Sequence, residues 1–153
     1  MHRIVIADAS CLILYSKIQL LHILYSLYPK VIITPEVAEE FGEPLPGWII
    51  IQSALLKNIA LFNNYNLGMG EITSLALAVE LKNSTVILDD DKAKKIAKAH
   101  NLDVTGSLGI IVKAKEKGII PNVQDVVTKI KATNFYLSPS LENLILKIAG
   151  ELH

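Results

Sequence analysis

Two short apolar runs, each ending on aspartate, constrain this chain more than any other feature. Arg3 to Ala7 leads without interruption into Asp8, and Val86 to Leu88 leads into Asp89, Asp90 and Asp91. Strands buried on both faces read as continuous apolar runs, the pattern of a parallel sheet. Val31 to Thr34 is a third such strand, Trp48 to Gln52 a further extended piece and Asp103 to Thr105 another short strand. The segments between them read as helices. Ser10 to Leu27 is long and apolar on most of its circumference, and Pro35 suits the first turn of a helix over Glu36 to Phe41. Pro44 and Pro46 break the chain, and Asn63, Asn64, Asn66, Gly68 and Gly70 form a loop. Glu71 to Leu81 follows the 3.6-residue period through Ile72, Leu75, Ala76 and Val79. A lysine-rich helix runs from Lys92 to His100, and Ser107 N-caps a helix that ends at Lys117 before Gly118. Helices over Val123 to Thr133 and Ser138 to Ala149 close the chain. Alternating strand and helix predict an α/β fold with a parallel sheet covered on both faces.

The length of 153 residues suits a single domain over 1–153, and 51% hydrophobic with 20% charged residues excludes a disordered chain. Mean hydropathy of +0.39 is high for a monomer. The helix from Ser10 to Leu27 carries Leu12, Ile13, Leu14, Tyr15, Ile18, Leu20, Leu21, Ile23, Leu24 and Tyr25 on more than one stripe. One stripe covers the sheet; the remainder predicts a homodimer. Lys17, Gln19 and His22 interrupt the longest apolar region, so no membrane span is expected. The N-terminus enters the first strand with no basic leader, and the one cysteine, Cys11, sits among apolar neighbours as a buried thiol. These features predict a cytoplasmic protein. Net charge is zero, which argues against an avid general nucleic-acid binder. Residues 1–91 nevertheless carry five excess acids and residues 92–153 five excess bases, which permits an acidic site with a basic rim.

Ligand sites in open α/β sheets lie beyond the carboxyl ends of the strands, where Asp8 and Asp89-Asp90 fall. Asp8 also fits a helix cap with Ser10, and the aspartate triplet a solvated turn that complements a helix dipole. Three adjacent like charges repel unless something positive binds them, which favours a site at the triplet. Glu40 lies one turn into its helix, with Glu39 as its rival for the inward position. Glu71 opens a helix after Gly68-Met69-Gly70, where the dipole favours an acid whatever its role. Thr105-Gly106-Ser107 fits either a phosphate-facing turn or an ordinary cap. Lys92, Lys94, Lys95 and Lys98 either solvate their helix or line a rim where substrate phosphates pass.

Together these residues resemble a known family. Asp8-Ala9-Ser10, Pro35-x-Val37-x-x-Glu40, Gly68-x-Gly70-Glu71 with Leu75-Ala76-x-Ala78, Leu88-Asp89-Asp90 with Ala93 and Ala97, and Thr105-Gly106-Ser107-Leu108-Gly109 follow the order and spacing of PIN-like domains. The resemblance is to the small prokaryotic branch with Gly-x-Gly-Glu and Leu-Asp-Asp signatures, and it spans nearly the whole chain. It implies a three-layer α/β/α fold with a central parallel sheet of four to five strands. It implies Asp8, Glu40, Glu71 and Asp90 as the catalytic, metal-binding acids, with Asp89 supporting. Ser10, Thr105, Ser107 and Lys92 are the implied substrate contacts. It further implies a Mg²⁺- or Mn²⁺-dependent ribonuclease, an endonuclease acting on RNA, of a kind often paired as a toxin with an antitoxin protein. The sequence departs from the family in having Asp-Ala-Ser for the usual Asp-Thr-Ser, and Gly106-Ser107 for Gly-Thr.

Hard carboxylate oxygens suit Mg²⁺ or Mn²⁺, and no His-Cys spacing suggests zinc. Such a metal lowers the pKa of bound water and offsets charge on a leaving oxygen. The competing reading is a non-catalytic PIN-like module that binds RNA or protein. A phosphate-accepting receiver domain fits less well, because its acidic pair belongs on the first strand and here stands on a later one.

Overall fold

The computed structural model describes residues 2–152. Its elements, in chain order, are β1 (Ile4–Ala7), α1 (Ala9–Lys17), α2 (His22–Leu27), β2 (Lys30–Ile33), α3 (Pro35–Phe41), β3 (Ile49–Ile51), α4 (Leu56–Ile59) and α5 (Met69–Glu80). β4 (Ser84–Ile87), α6 (Asp91–Ala99), β5 (Val104–Thr105), α7 (Ser107–Glu116), α8 (Gln124–Lys131) and α9 (Pro139–Ile148) complete it. The five strands form one parallel sheet in the order β3-β2-β1-β4-β5, as the alternating sequence pattern requires. β1 pairs with β2 on one side and β4 on the other, with Ala7 opposite Ile87. The chain therefore switches direction of travel across the sheet between β1 and β4. The carboxyl ends of those two strands, where Asp8 and Asp89 emerge, flank that switch.

Alternate residues of each strand feed two cores. Val5, Ala7, Val31, Ile33 and Ile87 pack with α1, α2, α7, α8 and α9, and Ile6, Ile32, Val86 and Leu88 pack with α5 and α6. The result is a three-layer α/β/α arrangement. Local signals set the helix starts. Thr34 caps α3 by accepting from the Val37 amide at 3.3 Å, ahead of Pro35, and Ser138 caps α9 by accepting from Leu141 at 3.2 Å, ahead of Pro139.

The structure corrects two sequence expectations and adds one element. The single helix over Ser10 to Leu27 is two helices. Gln19 takes a left-handed conformation (φ 60°), its amide bonds to Ser16 O, and the Leu20 amide reaches back to Tyr15 O. That is a Schellman termination with glutamine where glycine is usual, so no glycine marks it in the sequence. Ser107 is not the N-cap of its helix; Gly106 is, and Ser107 is the first helical residue. The short helix α4 lies in a stretch that carries no periodic signal.

The apolar surplus of α1 and α2 also has a different explanation. Leu12, Leu14, Tyr15, Ile18, Ile23 and Leu24 are all buried within the chain, against a cluster that includes Ile110, Ile111, Val127, Ile130 and Ile145 of the C-terminal helices. Glu151 helps hold those helices in place. It accepts from the amides of Val123 (2.6 Å) and Gln124 (2.9 Å) at the start of α8 and pairs with Lys115 of α7 at 2.8 Å. Of the stripe residues, Ile13 and Tyr25 stay exposed, and Tyr25 stacks on Trp48 at 5.3 Å. Among the described residues, no helix is long and apolar enough to cross a membrane.

Candidate active site at the carboxyl edge of the sheet

Asp8 leaves β1 at the centre of the sheet and takes the N-cap position of α1, yet its side chain makes no capping hydrogen bond. It is buried, at 6% exposure, and its Oδ1 is buried with no hydrogen-bond partner. Burial pushes its carboxyl up to about 7, partly offset by the Ala9 amide, and the charges of Glu71, Glu40 and Asp89 push it further. A carboxylate used as a helix cap is satisfied by amides. This one is short of partners and ringed by acids.

The other acids reach the same edge, each held by backbone. Glu40, rather than Glu39, is drawn in because its Oε1 accepts from the Gly70 amide at 3.0 Å. Glu71, in the first turn of α5, accepts from the Gly68 amide at 3.2 Å. Its carboxyl is raised by burial first and by Asp90 and Glu40, against the Gly68 amide and Lys92. Asp90 caps α6, accepting from Ala93 N at 2.9 Å. Asp89 is the most heavily bonded of the acids. It accepts from Ser107 N (2.7 Å), Ser107 Oγ (2.6 Å) and Ser10 Oγ (3.0 Å).

The sequence-derived substrate contacts divide. Ser10 is half-buried at the site, but its hydroxyl is committed to Asp89. Ser107 is fully buried with both its donors on Asp89, so in this conformation it supports an acid rather than facing solvent. Thr105 stands half-buried beside it, its hydroxyl 3.5 Å from Gly106 O. Lys92 is exposed and donates to Asn66 O at 3.2 Å. Cys11 is buried, which pushes its thiol up and leaves it inert. His2 bonds Asn83 and Asp103 at the opposite edge of the sheet, and His100 bonds Tyr65, so neither belongs to the acid site.

Three bracing residues escaped the sequence reading. The Tyr15 hydroxyl donates to Ser107 O at 2.5 Å and anchors the turn that carries the donors to Asp89. Thr34 and Thr73 share a hydrogen bond at 2.8 Å, and Thr73 also donates to Met69 O. This ties the start of α3 to the start of α5, the two helices that carry Glu40 and Glu71. The Tyr15–Ser107 and Thr34–Thr73 links cross 92 and 39 residues and leave no local motif.

Among the described residues, no three Asp, Glu, His or Cys side chains converge as a ready-made metal cage. The donor set is nonetheless that of a hard divalent cation: carboxylate oxygens only, several still unengaged, around a buried oxygen that lacks a partner. A metal here would be held by Asp8 with oxygens from Glu40, Glu71 and the Asp89-Asp90 pair, and would supply an activated water.

Gly70 is fixed by this geometry. A Cβ there would stand 2.7 Å from both carboxylate oxygens of Glu40. Gly70→Ala is expected to change the melting temperature little, since helix propensity gains up to about 1 kcal/mol against the lost contact. Displacing Glu40 should weaken Mn²⁺ binding by about tenfold, the scale for losing a residue that orients a ligand. Calorimetric titration of Mn²⁺ into both proteins measures it; unchanged affinity would show that Glu40 does not take part.

The structure is thus a parallel α/β sheet with acids gathered beyond the ends of β1 and β4. A family profile for the PIN domain matches residues 4–151, so the chain belongs to the PIN domain family. PIN domains are in general metal-dependent nucleases. No curated protein matches the chain.

Proposed function

We propose that this protein is a Mg²⁺- or Mn²⁺-dependent ribonuclease, an endonuclease that cuts single-stranded RNA at the site formed by Asp8, Glu40, Glu71 and Asp90. Asp8 carries the proposal: a buried carboxylate at the sheet's switch point with an oxygen that no donor satisfies. A folded protein keeps such a group when a ligand present in the working state repays its cost. The other acids bring negative charge that a cation offsets, and Asp89 is held by Ser10 and Ser107 at the same edge of the sheet. The metal, once bound, supplies a water of lowered pKa and neutralises the leaving oxygen. The chain's own share is positional. The amides of Gly68, Gly70 and Ala93 fix three of the acids before substrate arrives.

The expected assay result is internal cutting of single-stranded RNA with Mn²⁺ or Mg²⁺, abolished by EDTA and by Asp90→Asn. Cutting that persists in EDTA overturns the mechanism. A second reading, a PIN-like module that binds RNA or protein without cutting, draws support from the open spacing of the acids, which form no three-residue cage among the described residues. RNA binding without metal-dependent cutting would select it. A toxin held in check by an antitoxin protein is the biological setting proposed for the nuclease, in the cytoplasm. A homodimer is proposed on new ground: Leu144, Ile148 and Leu152, with the partly exposed Leu141, leave an apolar row open along α9 and just beyond.

A further inference from the structure

Lys94 stands apart from the other lysines of its helix. Lys92, Lys95 and Lys98 are exposed, whereas Lys94 is half-buried. Its amide bonds to Asp90 O at 3.0 Å, so it follows the α6 cap by one turn and lies on the site's side of the helix. Its Nζ lies 2.8 Å from the point that a Cβ on Gly106 would occupy, and Asp89 Oδ1 lies 3.3 Å from that same point. The ammonium is therefore no more than about 6 Å from Asp89 Oδ1. It is nevertheless not ion-paired with it, and among the described residues Lys94 makes no salt bridge.

The Lys94 stem is half-buried while its ammonium keeps contact with solvent, the arrangement of a long side chain that covers apolar surface and presents its charge at a rim. Asp89, close by, spends its oxygens on Ser10 and Ser107. The glycine at 106 leaves room for the Lys94 ammonium, since a Cβ there would stand 2.8 Å from it. A phosphodiester approaching this edge meets mostly negative charge, and Lys94 supplies a cation set into the rim.

We infer that Lys94 is a phosphate-binding residue of this site, its ammonium taking a non-bridging oxygen of the bound RNA beside Asp89. The inference rests on the ribonuclease reading and adds to it the residue that grips the substrate backbone. It also moves the rim contact from Lys92, which is engaged with Asn66, to Lys94. An ammonium is a point charge without bidentate geometry, so the grip is indifferent to base sequence.

The test measures binding of a labelled single-stranded RNA to Asp8→Asn protein, which leaves the RNA uncut, across a salt series. Adding Lys94→Met should weaken binding about tenfold and flatten the salt dependence by about 0.7 in log-log slope, the loss of one phosphate contact. Gly106→Ala shifts only the flexible end of the same side chain and should weaken binding less than Lys94→Met does, and Lys94→Arg should restore most of the affinity. Lys82→Met, an equal change of net charge at the far edge of the sheet, should shift binding less than twofold. Wild-type protein with Mn²⁺ is assayed for cutting in parallel. If it cuts RNA while Lys94→Met binds with the wild-type slope, Lys94 is only a structural counter-charge and this inference falls alone. If the wild type neither binds nor cuts RNA, the ribonuclease reading falls and takes this inference with it.

Discussion

Asp8→Asn is expected to lower RNA cleavage by at least about 100-fold, the scale of losing one electrostatic contact to the transition state, and yet to raise the melting temperature of the metal-free protein. The two effects share a cause. Burial and the surrounding acids push the Asp8 carboxyl from 3.8 to about 7. The folded state therefore holds the proton more tightly than the unfolded chain does. The stability this provides is complete below about pH 4 and is lost as pH rises toward 7. At 1.36 kcal/mol per pKa unit the loss approaches about 4 kcal/mol, and local relaxation brings the expected gain from the amide to about 2–3 kcal/mol. At 2–4 °C per kcal/mol, that is a rise of roughly 5–10 °C at pH 8, shrinking toward zero at pH 4. Mn²⁺ at a hundredfold excess over Kd adds about 2.7 kcal/mol to the wild type, and the increment should shrink in the variant. Melting curves at pH 4 and pH 8, with and without Mn²⁺, measure all of this. If Asp8 were a helix cap, the variant would be neutral or less stable at pH 8 and Mn²⁺ would shift both proteins equally.

The sheet was legible because its central strands carry their own signal. β1 reads as an unbroken apolar run and β4 ends in one at Val86-Ile87 after Ser84 and Thr85, and their carboxyl ends located the aspartates. What stayed hidden depends on partners far along the chain. Glu40 is distinguished from Glu39 by the Gly70 amide, 30 residues away. Asp89 and Asp90 are adjacent in sequence and differ in role because one meets the turn at Ser107 and the other meets its own helix at Ala93. The apolar surplus of α1 and α2 suggested a second copy of the chain; helices from its own C-terminal third cover it instead. Hydrophobic periodicity reports that a face is covered and says nothing about which element covers it. The break at Gln19 is invisible because its left-handed conformation is stabilised by returning amides, with no glycine to announce it.

Asp89→Ala should have the opposite sign to Asp8→Asn, although the two acids are electrostatic neighbours. Asp89 is an acceptor that the fold depends on. Its carboxylate takes the Ser107 amide, the Ser107 hydroxyl and the Ser10 hydroxyl, and it sits at the N-terminus of α7, where the helix dipole favours negative charge. Alanine leaves the Ser107 amide and hydroxyl without that acceptor, and Ser107 is fully buried. Each buried donor left unsatisfied costs about 1–3 kcal/mol, while relief of repulsion with Asp8 returns part of it. A net loss of about 3 kcal/mol is expected, which lowers the melting temperature by roughly 6–12 °C for a chain of this size. Mn²⁺ should restore little of that loss, because the missing acceptor lies within the hydrogen-bonded turn rather than at Asp8. Tyr15→Phe provides the internal comparison. It removes the hydroxyl that anchors Ser107 O while leaving Asp89 in place, so it should lower stability by about 1 kcal/mol, a single hydrogen bond's worth. A melting temperature for Asp89→Ala equal to or above that of the wild type would show that the Ser10–Asp89–Ser107 cluster contributes charge to the site and no support to the fold.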